Sequence, residues 1–173
     1  DDNGKVLADN EIGHIGVKIT DPYPPGLFTG YYKDDAKTAQ VFRNGWYYSG
    51  DTATRDKDGY IWFVGRSDDI ISSSGYRISP FEVESALIEH RAVAESAVVA
   101  KPDDIRGEIV KAYIVLASGY DASEALATNI QNFTKQHSAP YKYPREIEFM
   151  TTLPKTISGK IRRVELRETA AKT

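Results

Sequence analysis

After Asp68 the chain alternates between helical and strand periodicities with short connections, and this alternation confines it to a few α+β arrangements. Ser79-Pro80 carries the start signal of a helix: a hydroxyl at the N-cap and proline at the first helical position, followed by Glu82 and Glu84 in the opening turns. Phe81, Val83, Ala86 and Leu87 recur at helical spacing, which predicts a buried face and an end near His90. Residues 93–100 and 108–117 read as strands, and a second helix runs from Asp121 or Ser123 to about His137. Residues 146–150 read as a short strand and 163–171 as a closing helix. Together these describe a compact α+β domain of about 100 residues.

The stretch before Asp68 reads differently. Residues 15–19 alternate as a half-buried strand, and the Asp21-Pro22-Tyr23-Pro24-Pro25-Gly26 run interrupts it with turn and polyproline chemistry. Tyr60-Ile61-Trp62-Phe63-Val64 follows Asp58-Gly59, which predicts a hairpin near Gly59. With 173 residues the chain holds one large domain, or a domain and part of another. A net charge of −3 gives no long-range attraction to nucleic acid, and the absence of cysteine removes disulfides, thiolate metal sites and a cysteine nucleophile. That absence suits a reducing compartment. The longest apolar stretch, residues 92–100, falls far short of the ~20 residues of a membrane helix. Asp1-Asp2-Asn3-Gly4 has neither part of a signal peptide and reads as a point inside a longer protein.

Three clusters carry candidate chemistry. In residues 154–163, Pro154 stiffens the entry to a turn, Gly159 removes bulk beside Lys160, and Arg162 and Arg163 add to a positive field that suits an anionic ligand. A solvated basic turn is the plainer reading of the same residues. Asp51 follows Ser49 in an aromatic, glycine-punctuated loop, where an ionised carboxylate accepts two hydrogen bonds from vicinal hydroxyls, or else caps Thr52-Ala53-Thr54. In Ser74-Gly75-Tyr76-Arg77 the glycine lets a backbone pass close to a thin ligand, with Ser74 and Tyr76 as polar contacts; a simple β-turn is the alternative.

Taken in order, Gly45-Trp46-Tyr47-Tyr48-Ser49-Gly50-Asp51, Gly65-Arg66-Ser67-Asp68-Asp69, Ser74-Gly75-Tyr76-Arg77 and the Lys160 segment resemble the adenylate-forming superfamily. Arg106-Gly107-Glu108 and the run Ala139-Pro140-Tyr141-Lys142-Tyr143-Pro144-Arg145 narrow the resemblance to AMP-forming acyl-CoA synthetases of the medium-chain type. The resemblance implies an α+β C-terminal lid domain, a small mixed sheet flanked by helices, over residues 68–173. Residues 1–67 would be the β-rich end of a large N-terminal adenylation domain.

The site roles that follow are also implied by the resemblance. Asp51 and Arg66 would hold the ribose, Arg77 the nucleotide phosphate, and Lys160 the α-phosphate as the catalytic cation. Ser74, Gly75, Tyr76, Arg106 and Lys135 would contact coenzyme A, and Asp68 would be the hinge, with Asp69 its competitor by residue type. Arg66 has a plainer reading as a strand-end arginine paired with a nearby aspartate. The implied partners are ATP with Mg2+, coenzyme A and a carboxylic, fatty acid, with no nucleic acid, no membrane span and no oligomeric state specified. The implied compartment is the cytoplasm, or the mitochondrial matrix in a eukaryote. Two alternatives stay open: an adenylation domain serving a carrier protein, and a non-catalytic module that binds CoA or nucleotide.

Overall fold

In the computed structural model, which describes residues 1–172, the chain divides into two units between Asp68 and Asp69. The first contains β1 (Gly13–Lys18), α1 (Asp35–Val41), β2 (Phe42–Arg43), β3 (Trp46–Arg55) and β4 (Ile61–Arg66). β3 is its spine. β1 runs antiparallel along one edge, from Gly13 opposite Ala53 to Lys18 opposite Trp46, and the other edge is shared by β2 and β4. The loop expected at Gly45–Asp51 is therefore a strand. Asn44 and Gly45 take positive φ values of 52° and 76° and make the two-residue turn from β2, after which the β-forming Trp46, Tyr47 and Tyr48 enter the sheet directly. Because Thr52, Ala53 and Thr54 are also in β3, Asp51 caps nothing. The hairpin expected near Gly59 joins β3 to β4, and the Asp56 carboxylate closes it by accepting from the amides of Asp58 and Tyr60 and from Trp62 Nε1.

The second unit contains β5 (Ile71–Ser73), β6 (Tyr76–Ile78), α2 (Pro80–Ile88), β7 (Val93–Asp103), β8 (Gly107–Leu116), α3 (Glu124–His137), β9 (Glu146–Met150) and α4 (Arg163–Ala170). Its sheet is mixed: the order is β6-β5-β8-β7, all antiparallel, with β9 parallel to β8. The central strands are buried on both faces, which is why they read as continuous apolar runs. Val98, Val110, Ala112 and Ile114 face Val83, Leu87 and Ile130 from α2 and α3, while Ala97, Val99 and Tyr113 face Leu166 and Ala170 from α4. Tyr113 Oη donates to the carbonyl of Leu166 at 3.2 Å, so the phenol has a partner inside that layer.

Helix boundaries follow capping chemistry. Ser79 Oγ accepts from the Glu82 amide, and Ser123 Oγ from Leu126, which decides between Asp121 and Ser123 for α3. α2 stops two residues short of the expected His90, and Phe81, expected on its buried face, is 55% exposed. Strands β5 and β6 were not expected, but the simple β-turn given as the alternative reading of this segment is present: Ser74 and Gly75, at φ 50° and 85°, form the two-residue turn between them.

Two ion-pair groups sit in the second unit. Lys111, 1% exposed, reaches Glu146 at 2.8 Å and Glu148 at 2.9 Å, and Lys101 joins Glu146 at 2.7 Å. On the α4 side, Glu84 accepts from the Val98 amide and from Arg163, and Asp69 pairs with Arg167 one turn further along α4. No helix among the described residues is long and apolar enough to cross a membrane.

Candidate functional site

The β3–β4 register sets Asp51 opposite Arg66 at the end of the first unit's sheet. Ser49 organises the approach, its Oγ donating to the carbonyl of Ile15 at 2.9 Å and accepting from the Asp51 amide at 3.1 Å. From Arg66, Nη1 donates to Ser49 O at 3.2 Å and reaches Asp51 Oδ1 at 3.4 Å, while Nε donates to Asp68 Oδ1 at 3.2 Å. Partial burial disfavours the charged guanidinium, but Asp68 and then Asp51 outweigh it and hold Arg66 above its ordinary value. Arg66 is thus a strand-end arginine paired with aspartates, as its plainer reading had it. The same arrangement leaves a carboxylate acceptor and guanidinium donors side by side and half-exposed, the donor–acceptor pattern that a vicinal diol needs. A cavity of about 170 Å³ in this unit is lined by His14, Trp46 and Tyr48 among others, and by none of Asp51, Arg66 and Asp68.

In the second unit the Ser74-Gly75 turn meets Arg106. The Ser74 amide donates to Arg106 O at 3.0 Å and Arg106 Nη1 to Ser74 Oγ at 3.2 Å, while Asp103 Oδ1 fixes the Arg106 backbone at 2.8 Å. A Cβ on Gly75 would meet nothing within 4 Å, and Ser74, Gly75, Tyr76 and Arg77 are exposed. The Tyr76 ring stacks on Tyr141, centroids 4.2 Å apart and planes at 15°. Lys135 lies 5.4 Å from the centroid of Tyr143, which also takes Arg145 over its ring at 5.1 Å. The sequence reading gave contact roles to Tyr76, Arg106 and Lys135 and used Tyr141, Tyr143 and Arg145 only as part of a motif; the structure sets Tyr141 against Tyr76, and Tyr143 beside Lys135 and Arg145.

Lys160 closes a tight hairpin. Lys155 bridges Ile161, the Thr156 amide donates to Lys160 O at 2.8 Å, the Gly159 amide to Thr156 O at 2.9 Å, and the Lys160 amide to Thr156 Oγ1 at 3.1 Å. With Gly159 at φ +83°, this is a three-residue loop whose last position is left-handed. A Cβ on Gly159 would meet nothing within 4 Å, so the glycine supplies backbone conformation and not the clearance expected of it. The expected basic field is also absent: Arg162 is paired with Glu165 and Arg163 with Glu84. Lys155 anchors the base to Glu95 at 2.5 Å and Leu153 is buried beneath it, whereas Lys160 is exposed, with no ion pair to its Nζ among the described residues. No group of three or more His, Asp or Glu among the described residues is arranged to hold a metal ion.

Known proteins share this design. Residues 82–160 match the family described as AMP-binding enzyme C-terminal domain. The mitochondrial acyl-coenzyme A synthetase ACSM3 of Rattus norvegicus is 56% identical over 96% of this chain, and 4-hydroxybutyrate–CoA ligase 1 of Metallosphaera sedula 57% identical over 97%. The chain spans only 29% and 30% of their lengths. Among solved structures, the anthranilate CoA ligase AuaEII in complex with anthranoyl-AMP superposes with a TM-score of 0.86 at 41% identity, over 99% of this chain and 32% of that one. The ATP-bound RpMatB-BxBclM chimera B1 gives 0.83 at 35% identity, over 94% of this chain and 31% of the chimera. By the family match and by identity along nearly its whole length, the chain belongs to the AMP-binding enzymes, as a part that carries their C-terminal domain.

Proposed function

We propose that the chain is the lysine-bearing and CoA-facing part of an AMP-forming acid–CoA ligase. A carboxylate oxygen attacks the α-phosphate of Mg-ATP, expelling pyrophosphate and leaving an acyl-AMP; the sulfur of CoA then attacks the acyl carbonyl, expelling AMP and leaving the thioester. The relatives' named substrates, 4-hydroxybutyrate in one and anthranilate in another, share a carboxylate, so a carboxylic acid is the class carried over. Mg2+ enters with ATP as substrate. The absence of cysteine and the mitochondrial name of the rat relative favour a reducing compartment.

The observation that carries this reading is the Lys160 hairpin: an ammonium without an ion-pair partner among the described residues, on a backbone fixed by three hydrogen bonds of its own turn and anchored at its base. Such a charge, brought to the α-phosphate, stabilises the transition state more than the ground state because negative charge accumulates there. Asp51 and Arg66 take the ribose hydroxyls, Arg77 a phosphate, and Ser74, Gly75, Tyr76, Arg106 and Lys135 the CoA. Asp68 is the pivot between the two half-reactions, with residues 1–67 belonging to the adenylation domain and 68–173 to the mobile one. The test is K160A in the full-length enzyme. ATP–pyrophosphate exchange should fall by about 10²–10³, with thioester formation from supplied acyl-AMP retained; equal loss in both would remove Lys160 from the first step.

A further inference from the structure

Arg66 answers to two parts of the proposed cycle at once. Its guanidinium lies where a side chain on Gly50 would be: a Cβ there would meet Nη2 at 2.7 Å, Nη1 at 2.8 Å and Cζ at 2.9 Å. Gly50 is also at φ +84°, so other residues are disfavoured there by backbone conformation, and a side chain there would require the guanidinium to move from its seat. Seated there, Arg66 divides its donors, with Nη1 reaching Ser49 O and Asp51 Oδ1, and Nε reaching Asp68 Oδ1. Ribose hydroxyls held by Asp51 must draw on the same guanidinium, and Asp68 is the residue at which the first unit ends.

We propose that the Arg66–Asp68 pair is a latch on the pivot, and that a nucleotide in the Asp51–Arg66 corner weakens it by competing for the guanidinium. Gly50 is the positioning residue that seats Arg66 between the two claims. This rests on the nucleotide and pivot roles proposed above. The side chains of Arg66 and Asp68 are 49% and 59% exposed, and exposed pairs of this kind are weak, which suits a contact that has to break in every turnover. Linkage makes the effect reciprocal: if the nucleotide weakens the pair, removing the pair must tighten the nucleotide. A carboxylate that only oriented Arg66 toward the ribose would act with the opposite sign.

The experiment is calorimetric titration of the full-length enzyme with AMP, for wild type, D68N, D68E, R66A and R66A/D68N, with D51A as control. D68N keeps the side-chain shape at an exposed position, and its thermal midpoint reports folding. D68N should bind AMP about 1.4- to 5-fold more tightly than wild type, the range that an exposed pair supplies. D68E should match wild type, and in the R66A background the D68N gain should vanish. Unchanged or weaker binding by D68N, or a gain that survives in R66A, overturns the latch. If AMP fails to bind wild type, or binds D51A equally well, the nucleotide reading itself falls and the latch with it. If Asp51 is required and D68N gives no gain, the latch alone falls.

Discussion

Replacing Gly159 probes how the hairpin presents Lys160, because two explanations of this glycine give different orders of activity. A built Cβ meets nothing within 4 Å, so an alanine there has no clash to relieve; its cost is that of holding an L-residue at φ +83°. That cost is about 1–2 kcal/mol for alanine, smaller for asparagine, whose side chain tolerates the left-handed region, and larger for β-branched valine. If the turn must be closed for Lys160 to act, 1–2 kcal/mol lowers the closed population by about 5- to 30-fold. ATP–pyrophosphate exchange by the full-length enzyme should therefore fall in the order Gly, Asn, Ala, Val, with G159A about 5- to 30-fold below wild type. Thioester formation from supplied acyl-AMP should stay level. If G159N were slower than G159A, side-chain bulk beside the lysine would be the deciding factor and the conformational account would be wrong. Equal losses in the two half-reactions would also refute it.

Two further outcomes concern the ion pairs of the second unit. E84A removes the partner of Arg163, whose Nε already lacks a hydrogen-bond partner, and strips the Val98 amide of its acceptor; urea unfolding should show a loss of about 3 kcal/mol, and a loss under about 1 kcal/mol would remove this pair from the fold's support. Burial would raise the Glu146 carboxyl, but its bonds to Lys101 and Lys111 outweigh burial and hold it below its ordinary 4.5. Its native form thus binds fewer protons, and the stability it contributes is present above about pH 4.5 and lost as pH falls through the depressed value. Burial raises Glu84, which has the opposite sign, so the thermal midpoint of wild type minus that of E146Q isolates Glu146; that difference should shrink as the pH drops below 4.5, and a constant difference would contradict the assignment.

The second unit was legible in the sequence because its signals are local. Ser79-Pro80 and Ser123 cap helices by bonds that span three residues, and the buried strands announce themselves as apolar runs. The first unit was misread at Trp46–Tyr48, where flanking glycines suggested a loop; Asn44-Gly45 is a strong hairpin signal, and reading it as one gives β2 and β3. At Gly50 the positive φ of +84° accounts for glycine, but the Arg66 guanidinium that occupies the space beside it comes from the neighbouring strand and has no local signal. For the Lys160 segment the lysine was legible and its surroundings were not. Glu165 lies one helical turn from Arg162, but Glu84 reaches Arg163 from another helix, so the positive field inferred from composition is neutralised by partners that the local sequence does not show.

Asp68 and Asp69 make the same point within one dipeptide. By residue type they are equal candidates for a pivot, and a tolerance of unusual backbone regions belongs to both. Their carboxylates are held in opposite ways: Asp68 by Arg66 at the edge of the first sheet, half-exposed, and Asp69 by Arg167 of α4, its side chain 13% exposed. A weak, solvent-screened pair yields easily, whereas breaking a largely desolvated one strands a charge away from water. Under the proposed pivot role, a rotation beginning at Asp68 would give up the first kind of contact and keep the second, which ties α4 to Asp69 within the second unit. On that ground we favour Asp68 over Asp69 as the proposed pivot.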